Sequence, residues 1–173
     1  MPKTATRPAP APRDNLPPDI SAKVRAALAA NRELPGALLP VLHAVQDSVG
    51  YVPDDAVSLI AHDLNLSRAE VHGVVSFYHH FRTHPAGRHV VRICRAEACQ
   101  ALGARALEAH AKKTLGIEFH ETTNDGAITL EAVYCLGNCG CGPSVLVDPD
   151  DIRARVTPDE FDALVGELRK VAP

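Results

Sequence analysis

The chain is expected to be an α+β protein, a small helical bundle followed by a compact α/β domain, and three observations lead there. Apolar residues recur at helical spacing from residue 19 to about residue 84. From Gly87 onward the pattern changes to short strands alternating with helices. All five cysteines, Cys94, Cys99, Cys135, Cys139 and Cys141, fall in that second half. With 173 residues and 46% apolar content, the chain can build one ordinary domain or two small ones.

Residues 1–18 hold prolines at positions 2, 8, 10, 12, 17 and 18 and almost no large apolar side chain, which is the composition of a disordered tail. The bundle is assigned to 19–86. Four apolar stripes define its helices: Ile20, Val24, Ala27 and Leu28; Leu38, Leu42, Val45 and Val49; Val57, Ile60, Ala61 and Leu64; and Val71, Val74, Val75 and Tyr78. Pro35 with Gly36, and the segment Gly50 to Pro53, separate them. Ser67 and Glu70 have the spacing at which a hydroxyl and a carboxylate satisfy each other's free amides at a helix start.

The second domain is assigned to 87–173. His89 to Ile93 is read as a strand leading into Cys94, followed by a helix to about Leu115 with Leu102, Ala106 and Ala109 on its inner face. Asn124-Asp125-Gly126 marks a turn, after which Ile128, Leu130, Ala132 and Tyr134 alternate with Thr129, Glu131 and Val133 in a strand running into Cys135. Ser144 to Val147 and Ile152 to Val156 are read as a strand pair around the acidic turn at 148–151. Thr157, Pro158 and Glu160 then open a last helix with Phe161, Leu164, Val165 and Leu168 inside. The order βα, ββ, α is that of a thioredoxin-like sheet carrying helices on its faces.

The cysteines form a C-x4-C pair and a C-x3-C pair separated by 35 residues. Zinc sites usually use C-x2-C knuckles, whose short spacer lets both sulfurs reach one small tetrahedral ion, and this chain has none. Wider pairs in glycine-bearing loops suit a two-iron cluster, which needs two thiolates on each iron. Zinc, structural disulfides and inert buried thiols are the competing readings. The odd cysteine count weighs against disulfides, and the glycine-rich run at 135–142 is poor core material. Gly137, Gly140 and Gly142 would let backbone amides approach sulfur. Arg95 and Glu97, beside the first cysteine, are opposite charges able to move a potential in opposite directions. A cluster saturated with thiolate and sulfide has no open position for substrate, so its task is electron transfer.

The remaining sequence excludes more than it suggests. Net charge is −3 and no long basic run occurs, which argues against nucleic acid as a partner. Nothing approaches the roughly 20 apolar residues that span a bilayer, so no membrane insertion is expected. Lys3, Arg7 and Arg13 faintly resemble a transit peptide, but the prolines oppose an amphipathic helix. A reducing cytoplasm is the expected setting, since thiolates stay available to metal there. His79, His80, His84 and His89 cluster in sequence, but the adjacent pair would face different sides of a helix and is a poor metal site. No phosphate-binding loop, dinucleotide fingerprint or nucleophile-base motif occurs, and no catalytic residue is expected on this chain.

The motifs C-R-A-E-A-C at 94–99 and C-L-G-N-C at 135–139, with L-H-A-V-Q-D-S-V-G-Y-V-P at 42–53 and S-R-A-E-V-H-G-V-V-S-F-Y at 67–78, resemble a known family over roughly residues 19–170. It comprises the thioredoxin-like 2Fe-2S subunits that accompany the NADH-binding flavoprotein of respiratory complex I and related soluble enzymes. The resemblance implies one 2Fe-2S cluster on Cys94, Cys99, Cys135 and Cys139, with FMN and NAD on the partner subunit. It implies a helical half that packs against that partner. Cys141 departs from the four-ligand pattern and is either a bystander or a substitute for Cys139. C-R-A-E-A-C-Q-A-L-G at 94–103 and the short chain are most similar to the gamma subunit of soluble NAD-dependent formate dehydrogenases. Such a complex would add a further iron-sulfur subunit and a molybdenum- or tungsten-containing catalytic subunit. The equivalent subunits of NAD-linked hydrogenases and of complex I are the alternatives, as is a purely structural metal-binding subunit.

Overall fold

The computed structural model describes residues 15–170, and the chain divides into two compact units, 1–85 and 86–173. Most of the tail expected at 1–18 lies outside the described residues. In the first unit, α1 (Pro18–Asn31), α2 (Leu38–Val49), α3 (Asp54–Asp63) and α4 (Arg68–Phe77) follow the apolar stripes. Pro18 begins α1, where a missing amide proton costs nothing. Val24, Val41, Leu42, Val45, Ile60 and Val71 expose no surface and form the centre of this core. At the start of α4 the Glu70 amide donates to Ser67 Oγ (3.1 Å) and the Ser67 amide donates to Glu70 Oε2 (2.7 Å).

Two expectations at the end of α4 are corrected. Tyr78 lies beyond the helix and is exposed, because the chain turns to an extended conformation there. His79 and His80 therefore sit in a turn, not on a helix. The buried Gln46 amide organises that turn: its Nε2 donates to the His80 carbonyl (2.8 Å) and its Oε1 accepts from the Arg82 amide (2.8 Å).

The second unit contains β1 (His89–Cys94), α5 (Glu97–Ala101), α6 (Ala104–Leu115), β2 (Glu121–Thr122), β3 (Ile128–Val133), β4 (Val145–Val147), β5 (Asp151–Arg153) and α7 (Pro158–Lys170). The sheet order is β2-β3-β1-β4-β5; β1 and β3 run parallel and the other neighbours antiparallel. This mixed sheet with its helices is the thioredoxin-like fold. Ile93, Leu107, Ile128, Leu130, Val145 and Phe161 are among its fully buried side chains. Phe161, Leu164, Val165 and Leu168 of α7 are all buried, as their spacing requires.

Three details of this unit differ from the sequence reading. The helix after Cys94 is broken at Gly103, whose φ of +102° suits a residue without a Cβ. The break resets the helical phase, so Ala104, Leu107, Ala111 and Leu115 face the core while Leu102, Ala106 and Ala109 are exposed. Strand β3 lies between two strands and is buried on both faces, so Thr129 and Glu131 are covered along with Ile128 and Leu130. Their polar atoms are satisfied: Thr129 Oγ1 accepts from the Gly87 amide (2.7 Å), and Glu131 pairs with Arg92 (2.9 Å), which also pairs with Asp148. Finally, β5 is short and begins at Asp151, inside the segment read as a turn, while β2 carries too few residues for an alternating pattern.

Candidate metal centre

The cysteines are delivered by strand ends. Cys94 is the last residue of β1, where its amide donates to the Ser144 carbonyl (3.0 Å). Cys99 lies one turn on, in α5. Cys135 follows β3, the parallel neighbour of β1, and Cys139 opens a single 3-10 turn, Cys139–Cys141. Because β1 and β3 run in the same direction, the two loops leave the sheet at the same end. Cys135 Sγ and Cys139 Sγ are 3.6 Å apart, and the Cys94 and Cys99 sulfurs lie close enough to shift each other's ionisation.

The pairs differ in exposure. Cys94 and Cys99 are 2% and 1% exposed, whereas Cys135 and Cys139 are open to solvent. Burial opposes ionisation of Cys94, but the amides of Ala96, Cys135 and Leu136 and the Cys99 thiol outweigh it and hold its pKa below the usual thiol value. Burial pushes the Cys99 thiol up, and the Cys94 sulfur adds to this while the Ser144 amide opposes it. Cys139 is raised chiefly by the Cys135 sulfur. Cys99 also feels the charge of Cys139, and Cys139 that of Cys94, so the two pairs form one electrostatic group.

The backbone around these sulfurs is shaped to reach them. The Gly137 amide donates to Cys135 Sγ (3.3 Å). Cys135 itself holds φ at +105°, a conformation that side chains rarely adopt and that surrounding structure must impose. A Cβ on Gly142 would stand 3.1 Å from Cys99 Sγ and 3.1 Å from Leu102 Cδ1, so glycine lets the segment before β4 approach the inner pair without crowding it. Gly140 has no such neighbour. Cys141 is half-buried, and its carbonyl accepts from the Arg155 amide (2.8 Å).

Arg95 leaves the cysteines for other partners. Its Nε donates to Glu108 Oε2 (2.9 Å), and its guanidinium lies against the rings of Phe119 and Tyr134. Glu97, at the start of α5, is exposed. Among the described residues no three of His, Cys, Asp or Glu gather to hold a single metal ion, the histidines at 79–89 included. Sequence reasoning missed Ser144 and Asn138: Asn138 Nδ2 donates to Ser144 Oγ (3.2 Å) beside both cysteine pairs. No local pattern marks that contact.

The donor set fits a thiolate-bound iron-sulfur cluster, with soft sulfurs in two pairs, amides directed at them and a side-chain-free approach at Gly142. Fold and donor set together define a ferredoxin-type electron carrier on a thioredoxin-like sheet. Residues 24–169 match the thioredoxin-like 2Fe-2S ferredoxin family, and the chain belongs to it. Membership brings the family's cofactor, one 2Fe-2S cluster. The chain is 38% identical to the E subunit of NADH-quinone oxidoreductase from Escherichia coli K12 over 133 residues, 77% of this chain and 80% of that one. It is also 38% identical to the E subunit of the same enzyme from Pseudomonas aeruginosa over 123 residues, 71% of this chain and 74% of that one. An air-oxidised NAD+-reducing NiFe-hydrogenase shares the fold with a TM-score of 0.64 and 23% identity over 82% of this chain; the match spans 24% of that hydrogenase chain.

Proposed function

We propose that this chain is the electron-transfer subunit of a multisubunit NAD-dependent oxidoreductase, holding its 2Fe-2S cluster on Cys94, Cys99, Cys135 and Cys139 beside a partner that binds FMN and NAD. The observation that carries this is the meeting of a buried and an exposed thiol pair at the ends of two parallel strands. When bound, the cluster supplies a one-electron couple and no open metal position for substrate. The chain's residues hold, insulate and orient. Cys94 and Cys99 anchor the cluster on the buried side, the amides around them stabilise thiolate charge, and Cys135 and Cys139 face the route by which a partner exchanges electrons.

In this reading 87–173 is the cluster domain and 19–86 is a docking bundle for the flavoprotein subunit. An open groove of about 970 Å³ in the bundle, lined by Leu38, Leu39, Leu64, Leu66, Val74 and Phe77, supports the docking role, as does the 74% exposure of Phe77. At a finer level we assign the chain to the gamma subunit of a soluble, cytoplasmic NAD-dependent formate dehydrogenase with a molybdenum- or tungsten-containing catalytic subunit. The motif C-R-A-E-A-C-Q-A-L-G at 94–103 supports that assignment. Similarity to the E subunits of NADH-quinone oxidoreductases supports the broader class. No helix among the described residues is long and apolar enough to cross a membrane.

Iron, zinc and acid-labile sulfide content of the anaerobically purified chain, with electron paramagnetic resonance before and after dithionite, tests the cluster. About two irons and two sulfides per chain with a signal only on reduction is the expected result; zinc without sulfide overturns it. Serine replacement at Cys94, Cys99, Cys135 or Cys139 is expected to alter or abolish that signal, and Cys141→Ser to leave it unchanged. Purification from the native cell with its bound subunits tests the finer assignment: formate-dependent NAD+ reduction supports it, whereas hydrogen- or quinone-linked activity alone rejects it.

A further inference from the structure

We propose that Asn138 and Ser144 are a pair of positioning residues, in which one hydrogen bond locks the outer cysteine loop to the inner cysteine pair and thereby sets the potential of the centre. The proposal rests on the four-cysteine cluster reading above. Ser144 exposes no surface and touches both halves of the site. Its carbonyl accepts from the Cys94 amide (3.0 Å), its amide acts on the Cys99 sulfur, and its side chain turns the other way. There Ser144 Oγ accepts from Asn138 Nδ2 (3.2 Å) and lies 3.5 Å from the Cys141 carbonyl.

Asn138 stands immediately before Cys139, inside the loop that carries the exposed thiols, and its own carbonyl accepts from the Cys141 amide (3.0 Å). One side of the bond is therefore anchored in the sheet beside Cys94 and Cys99. The other is the segment between Cys135 and Cys139. Breaking it frees that loop to move away from the sheet and admits water to the outer thiolates. Water favours the more negative, reduced state, so the midpoint should rise.

The test uses the full chain loaded with its cluster, as Asn138→Ala, Ser144→Ala and the double variant. Iron and sulfide content, g-values by electron paramagnetic resonance and midpoint by redox titration are compared with wild type. The expected result is an upward shift in both single variants equivalent to a roughly tenfold change in the one-electron equilibrium constant, about 59 mV. The double variant should shift no further than the larger single change, since both remove one bond. Unchanged midpoints and g-values in the loaded single variants, a downward shift, or shifts that add in the double variant would each overturn the proposal. Where Ser144→Ala fails to fold because the site is buried, Asn138→Ala decides alone. Wild-type chain without two irons and two sulfides would instead remove the cluster reading itself, an outcome separable from a null result in the variants.

Discussion

Gly142 and Arg95 touch the inner cysteines' surroundings in opposite ways, one by leaving space and one by leaving charge. A methyl group at Gly142 would press on Cys99 Sγ and Leu102 Cδ1 at 3.1 Å, closer than ordinary packing; the exposed Leu102 side chain can swing aside, but Cys99 is buried and held. Gly142→Ala is expected to destabilise the cluster domain by about 1–3 kcal/mol through overpacking, and to speed loss of iron to a chelator. A variant with wild-type melting and iron retention would contradict this. Arg95 acts through Glu108, to which it is paired at 2.9 Å. Removing the guanidinium leaves that carboxylate paired with Lys112, at 3.0 Å. Arg95→Ala should therefore lower the midpoint by less than about 59 mV, the tenfold equivalent for one electron, and a second change, Glu108→Ala, should bring it back towards wild type. A rise, or no recovery in the double variant, would show that the pair does not act as a unit.

Helix starts are the elements most completely determined by local chemistry here. Ser67 with Glu70, and Thr157 with Glu160, both make reciprocal hydrogen bonds between side chain and amide. Ser67→Ala is expected to cost about 1 kcal/mol of stability, read as a lower melting temperature of the bundle. The pH dependence follows from the same geometry. The Ser67 amide and hydroxyl hold Glu70 below its ordinary carboxylate pKa, and the Thr157 amide and hydroxyl do so for Glu160. A pKa depressed in the folded state means a contribution that is present above the ordinary glutamate value and is lost as pH falls through the lower, folded value. Glu70→Gln should thus lower stability at neutral pH, where the carboxylate contributes, and flatten the acid side of the stability curve below about pH 4.5, the unperturbed value, where wild type loses the same contribution. An unaltered acid slope in denaturant melts would dismiss that role.

Among the described residues the molecule has two large cores that share no residue, one around Val24, Leu42 and Ile60 and one around Ile93, Leu107 and Phe161. Cys94 at the end of β1, Cys99 in α5 and Ala104 at the start of α6 form a separate small buried group. Stabilisation by a bound centre should therefore be confined to the unit that holds the cysteines, because binding energy is communicated as folding energy where ligands and core are continuous. Removing iron is expected to lower amide protection in β1, α5 and residues 134–144 while leaving α1 to α4 as protected as before. Hydrogen exchange on loaded and iron-free chain reads this directly, and an equal loss across α1 to α4 would mean that the units do not respond separately.

The helices of the first unit, the last helix and the strands bearing the cysteines are legible in the amino-acid sequence because their signals are local: apolar residues three and four apart, capping pairs three apart, and thiols at short spacings. Cys94, Cys99, Cys135 and Cys139 stand out as candidate ligands for the same reason. The phase of α6 was not legible, since it depends on the positive φ at Gly103 and not on the residues that follow. Neither was the double burial of β3, where Glu131 is paired with Arg92, 39 positions away on the neighbouring strand. Only the tertiary structure brings the buried and exposed thiol pairs together, joins Asn138 to Ser144 and sets Gly142 against Cys99. These are contacts between segments distant in the chain or folded back on themselves, and a periodic pattern records which face of an element is apolar, not which partner that face will meet.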